Sequence, residues 1–134
     1  MTFVNMNKIG IGVIGLGYVG KQHLDAYLKN PEVEVVMVSD ASAETLASVC
    51  RQYKLEGVRE YLEIIKNPKV DLISICTPDY LHFEQALSAV RAGKHVLCEK
   101  PLAISHSECE QIVEAVRKKK VKFLTGQVLR FTPL

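Results

Sequence analysis

Apolar residues along this chain fall into six short runs, and the stretches between them read as helices. The runs cover 9–14 (broken only by glycine), 33–38, the very short 57–60, 72–76, 96–98 and 121–125. Each is too short for a helix, and most place apolar residues at successive positions, as in a strand buried on both faces. Helices are expected over 19–29, 43–52, 61–66 and 81–92. In the last of these, Phe83, Ala86, Leu87 and Val90 recur at helical spacing and Gly93 follows as a stop. A final helix opens on the capping box Ser105-His106-Ser107-Glu108, where serine bonds the N3 amide and Glu108 bonds back. Ile112, Val113 and Val116 are its expected buried face. Strands alternating with helices predict an α/β fold, a doubly wound parallel sheet covered on both sides.

The turn after the first run is Gly15-Leu16-Gly17-Tyr18-Val19-Gly20. This is GxGxxG between a strand and a helix, the context in which that spacing carries meaning. The first glycine permits the tight turn, the second lets a pyrophosphate approach the backbone, and the third lets helix and strand pack closely. Free amides at the helix start, reinforced by its dipole, then face the phosphates. Tyr18 covers the phosphate turn, and Val19 opens the helix. Asp40 ends the second run, twenty residues after Gly20. A carboxylate there can accept both ribose hydroxyls of an adenosine and repels a 2′-phosphate. Neither Ala41 nor Ser42 supplies an arginine, so NAD is expected over NADP.

In a doubly wound sheet, ligands lie across the carboxyl ends of the strands. Cys76-Thr77-Pro78 ends the fourth run and Cys98-Glu99-Lys100-Pro101 the fifth. Both ends face the crevice of the glycine turn, and the Glu99-Lys100 pair is aimed at its nicotinamide end. A lysine acting as base near neutral pH needs a pKa depressed by about 3 units, roughly 4 kcal/mol. An adjacent carboxylate opposes that. Lys100 is therefore read as a charged donor that orients and polarises a substrate oxygen.

Composition narrows the classes. The 134 residues are the size of one domain, and 17 basic against 15 acidic residues leave a net charge of +2. The one tight basic cluster, 117–120, sits at a predicted helix end, where cations are favourable, and has no interleaved aromatics, so nucleic-acid binding is not expected. Cys50, Cys76, Cys98 and Cys109 lie too far apart for a zinc knuckle or redox pair. No metal site is expected, and free cysteines suit a reducing compartment. With no apolar leader and no run approaching about 18 residues, the expectation is a cytoplasmic protein without membrane contact.

With these pieces in place, the chain resembles the N-terminal half of the Gfo/Idh/MocA oxidoreductases (glucose–fructose oxidoreductase, inositol dehydrogenase and relatives). The matching residues are GVIGLGYVG at 12–20, Asp40, VDLISICTPDYLH at 70–82, AGKHVLCEKPLA at 92–103 and GQVLRFTP at 126–133. The resemblance implies a Rossmann fold whose glycine turn and Asp40 hold the cofactor. It further implies that Thr77, Pro78 and His82 line the cofactor cleft, and that Glu99 contacts the nicotinamide ribose region. Lys100 is implied as the catalytic residue at the substrate's reacting oxygen, with Arg130 near the same site. For His82 a second reading stays open, a histidine at a helix start that holds backbone. His23, His95 and His106 show no partner pattern and are read as surface or packing residues.

The implied activity is NAD-dependent oxidation or reduction of a sugar, polyol or related substrate. In that family the base and much of the substrate pocket come from a C-terminal α/β domain. Residues 1–126 are accordingly expected to be the Rossmann domain, and 127–134 the start of the crossover to a C-terminal domain that this chain lacks. A non-catalytic dinucleotide-binding module or partner subunit is the alternative. The apolar tail residues Val128, Leu129, Phe131 and Leu134 suggest self-association, hence a possible homo-oligomer.

Overall fold

The structure, a computed structural model, describes residues 8–133. The six apolar runs are strands: β1 (Ile9–Ile14), β2 (Val33–Ser39), β3 (Gly57–Val58), β4 (Leu72–Ile75), β5 (His95–Glu99) and β6 (Phe123–Gly126). Between them lie α1 (Tyr18–Lys29), α2 (Ala43–Tyr53), α3 (Tyr61–Lys66), α4 (His82–Arg91) and α5 (His106–Lys119). The strands form one sheet in the order β3-β2-β1-β4-β5-β6, and every neighbouring pair is parallel. The chain leaves β1 outward through β2 and β3, then returns to build β4, β5 and β6 on the other side. The strand order therefore reverses between β1 and β4, which is where such sheets hold their ligands.

One helix start and one cap partner differ from expectation for local reasons. A 3-10 turn, Asp79–Leu81, precedes α4, because Pro78 presets the turn and its carbonyl accepts the Leu81 N–H at 3.0 Å. At α5 the Ser105 hydroxyl accepts the Glu108 N–H at 3.2 Å, as a capping box requires. Glu108 reaches back one residue further than expected, to the N–H of Ile104. Gly93 closes α4 with a φ of +79°, a conformation that favours glycine.

Alternation along the strands divides the core into two clusters. Ile11 and Val13 of β1 join Val38, Leu24 of α1 and Leu46 and Val49 of α2 on one face. Ile14, Ile73, Ile75, Val96 and Cys98 meet Ile64 of α3, Val90 of α4 and Ile112 of α5 on the other. Coverage on both sides holds around β1 but fails at the β6 edge, where Leu124 is 53% exposed. Among the described residues, α1 reaches Ser74 of β4 and Glu99 of β5 on the face where Leu124 stands, and it leaves the last strand uncovered. Val113, expected in the buried face of α5, is exposed, as are Val128, Leu129 and Phe131 beyond β6. Leu134 lies outside the described residues. No helix among the described residues is long and apolar enough to cross a membrane.

Candidate functional site

After β1 the chain turns at once through Gly15, whose φ of +90° lies in the left-handed region. A Cβ there would stand 2.7 Å from the carbonyl carbon of Cys76, just past β4. Glycine thus lets the ends of β1 and β4 close together at the point where the strand order reverses. Gly17 caps α1 with open space where a Cβ would be. No side chain caps this helix and no acidic residue stands in its first turn, so its first N–H groups keep their capacity for an anion. A Cβ on Gly20 would overlap the Gly15 carbonyl oxygen, so the third glycine lets α1 lie directly on the turn.

Asp40 joins this turn to the loop after β2. Its Oδ2 accepts the Leu16 N–H at 2.8 Å and its Oδ1 accepts the Ser42 N–H at 2.8 Å. Carboxylate oxygens have further lone pairs, so the same group can still accept from a ligand hydroxyl. A cleft of about 600 Å³ runs along these strand ends. Gly15, Gly17, Tyr18, Val19, Asp40, Thr77 and Pro78 all line it. Gly20 lies beneath it as packing. An open glycine mouth, an uncapped helix start and an acid one strand across together fit a dinucleotide.

The remaining expected residues stand elsewhere. His82 is 1% exposed and does not line the cleft. Its ring nitrogens lie 2.8 Å from the Thr77 carbonyl oxygen and 2.7 Å from that of Pro101. It bridges the loops after β4 and β5, which is the backbone-holding role left open above. Glu99 and Lys100 end β5, one strand beyond the cleft. Lys100 is exposed, its N–H donates to Glu99 Oε2 at 3.3 Å, and the peptide to Pro101 is cis. Arg130 is exposed on the 3-10 turn Val128–Phe131 past β6.

The reading of His23 as an unpartnered surface or packing residue is corrected. Its Nε2 lies 3.0 Å from Glu99 Oε1 and its Nδ1 2.8 Å from the Ser74 hydroxyl. The side-chain partner of Glu99 is thus a histidine from α1, not the lysine beside it in sequence. The signal was present: Gly20, His23, Leu24 and Tyr27 share one face of α1, toward the sheet. His95 also has a partner, since its Nδ1 accepts the Lys122 N–H at 3.0 Å. His106 is exposed, 3.5 Å from Glu110.

Two further residues line the cleft without any local motif. Gln85 is 4% exposed, and its Oε1 accepts the Thr77 hydroxyl at 2.6 Å. Arg59 donates from Nη2 to the Ala41 carbonyl at 2.9 Å. β2 and β3 are parallel neighbours with Ser39 beside Val58, so the residue after β3 stands beside Asp40. The arginine at this corner thus comes from the neighbouring strand, not from positions 41 and 42. Cys98 is buried and Cys76 is half-buried in the cleft wall, and burial pushes both thiols up to about 12, so neither is a ready nucleophile. Among the described residues no His, Cys, Asp and Glu side chains converge as a metal ion would require.

Comparison with known proteins agrees with this geometry. The chain is 33% identical to the levoglucosan dehydrogenase of Pseudarthrobacter phenanthrenivorans, over 96% of its own length and 35% of that enzyme's. It is 30% identical to the myo-inositol 2-dehydrogenase of Thermotoga maritima, over 90% and 36%. The crystal structure of KijD10, a 3-ketoreductase from Actinomadura kijaniata in complex with NADP and TDP-benzene, superposes with a TM-score of 0.87 at 27% identity, over 95% of this chain and 39% of that one. The chain spans about a third of the length of the curated relatives it matches. The profile of the GFO_IDH_MocA oxidoreductase family, NAD-binding Rossmann fold, matches residues 9–127, and the chain belongs to that family.

Proposed function

We propose that this chain binds a nicotinamide dinucleotide along the cleft and serves an oxidoreductase acting on a sugar, polyol or related substrate, with NAD(H) preferred to NADP(H). The observation that carries the reading is the 2.8 Å bond between Asp40 and the Leu16 N–H. It holds the acid expected at the adenosine ribose against the turn expected at the pyrophosphate, as a dinucleotide site requires. When bound, the cofactor supplies hydride exchange at its nicotinamide. The chain's own residues bind and orient: Asp40 at the adenosine ribose, the first-turn N–H groups of α1 at the pyrophosphate, and Thr77 and Pro78 along the path toward the end of β5. There Lys100, exposed at the strand end, holds and polarises a substrate oxygen as a charged donor. The names of the levoglucosan and myo-inositol relatives support the substrate class. Residues 127–133, which leave β6 as an exposed turn, are read as the start of a crossover toward a further domain.

Isothermal titration of this chain with NADH, NADPH and ADP tests the proposal. The expected order is NADH tighter than NADPH, with ADP binding also measurable. Equal or tighter NADPH binding would overturn the preference, and no binding of any of the three would overturn the cofactor reading. Lys100→Ala is expected to leave NADH affinity within about twofold, since its partner is substrate and its position is independent of the cleft. A large loss would move Lys100 into the cofactor site.

A further inference from the structure

We infer that His23, held by Ser74, is the positioning residue that sets the Glu99 carboxylate for the nicotinamide half of the cofactor and leaves Lys100 free for substrate. The inference rests on the dinucleotide reading above and extends it to the far side of β4. With the adenosine at Asp40 and the pyrophosphate at α1, the other half of the ligand must run past β4 toward the end of β5. Glu99 is the acidic side chain that ends that strand.

Glu99 is not free to choose its partner. Its Oε1 lies 3.0 Å from His23 Nε2, and its Oε2 accepts the Lys100 N–H at 3.3 Å. On the β6 side Gly126 is its register partner, and a Cβ there would stand 2.9 Å from Oε1. The lack of a side chain at Gly126 is what makes room for the carboxylate. Both members of the pair are largely covered, with side-chain exposures of 16% for His23 and 15% for Glu99.

The histidine is fixed in turn. A carboxylate only accepts, so Nε2 carries the hydrogen that faces Glu99. The other nitrogen faces the Ser74 hydroxyl at 2.8 Å, and Ser74 is fully buried. Tyr27 meets the ring edge-on, with centroids 6.2 Å apart at 82°. The ring can neither flip nor swing without losing a buried partner. Glu99 is thereby held away from the Lys100 ammonium, which would otherwise be its nearest cation in sequence.

The test compares His23→Gln, which can place an amide N–H near the Nε2 position, with His23→Asn, which reaches Ser74 but falls short of Glu99. NADH affinity is read by nicotinamide fluorescence and ADP affinity by titration, with Glu99→Gln and His23→Asn/Glu99→Gln alongside. The expected result is that His23→Asn and Glu99→Gln each weaken NADH binding about tenfold, the scale of one charged hydrogen bond. The double variant should be no weaker than either single one, because the two act as a unit. His23→Gln should recover NADH binding to within about twofold of wild type, and ADP affinity should stay level throughout. Wild-type NADH affinity in His23→Asn, or losses that add in the double variant, would overturn the positioning role while leaving the dinucleotide reading intact. A wild-type chain that binds ADP no better than buffer would overturn that reading and this role with it.

Discussion

The Asp40 carboxylate accepts the Leu16 N–H at 2.8 Å, so the acid after β2 is also a strut of the glycine turn after β1. Its second oxygen holds the Ser42 N–H, at the head of α2. Asp40→Ala removes both bonds. Stability should fall by about 2 kcal/mol, a modest figure for two hydrogen bonds to a charged group. The NADH-to-NADPH preference should shrink as well, because the repulsion of a 2′-phosphate is gone. Urea melts and paired titrations read the two effects. A variant as stable as wild type would remove the strut role.

Arg59 stands at the same corner, tied to the Ala41 carbonyl at 2.9 Å. On the cofactor reading proposed above, its guanidinium lines the corner where a 2′-phosphate would sit and would offset part of the repulsion from Asp40. Arg59→Ala is expected to weaken NADPH binding about tenfold and NADH binding by much less, as for loss of one charge-assisted contact. Equal losses for both cofactors would assign Arg59 to the adenosine in general and not to its 2′ position.

The glycines of one motif should fail in different ways. Gly20→Ala drives a methyl into the Gly15 carbonyl oxygen and must displace α1 from the turn, so the loss appears in the melting temperature. Gly17→Ala meets nothing within 4 Å in the protein, so the fold should stand. Its methyl instead occupies the mouth that the pyrophosphate needs, and NADH binding should fall at nearly unchanged stability. A stable Gly20→Ala, or a Gly17→Ala that binds NADH normally, would contradict this division.

Burial pushes the Cys98 thiol from 9.0 up to about 12. Between those values the unfolded chain sheds a proton that the folded chain keeps. Stability that is present below the unfolded pKa is therefore lost as pH rises toward the folded one. The slope is at most about 1.4 kcal/mol per pH unit for one thiol. Urea melts at pH about 8 and about 10 should show a smaller drop for Cys98→Ala than for wild type by up to that amount. Equal drops would mean that the thiol ionises as freely in the folded protein as outside it.

The sequence by itself determined the elements and half of the candidate site's lining. Runs of apolar residues too short for helices, punctuated by Gly, Pro and capping serines, announce strands and helices through local physics alone. Glycine spacing and the following acid belong to consecutive elements, so Gly15, Gly17, Gly20 and Asp40 are legible without knowing the sheet. The same holds for Thr77 and Pro78, which follow an obvious strand.

Only the tertiary structure decided the partnerships between elements distant in the chain. Arg59 reaches the Ala41 carbonyl, next to Asp40, because β3 lies in register beside β2. His23 reaches Glu99 because α1 lies across β4 on the face toward which Ser74 and Glu99 alternate. Adjacency made Lys100 look like the partner of Glu99, yet β5 ends at Glu99, whose side chain meets His23 of α1, and Lys100 follows beyond the strand, exposed. His82 shows the same limit: its position at a helix start was visible, but whether its ring faced the cleft or two carbonyls depended on where the loop carrying Pro101 lay. Local pattern sets what each segment becomes. Strand order and the faces that helices cover decide which side chains meet.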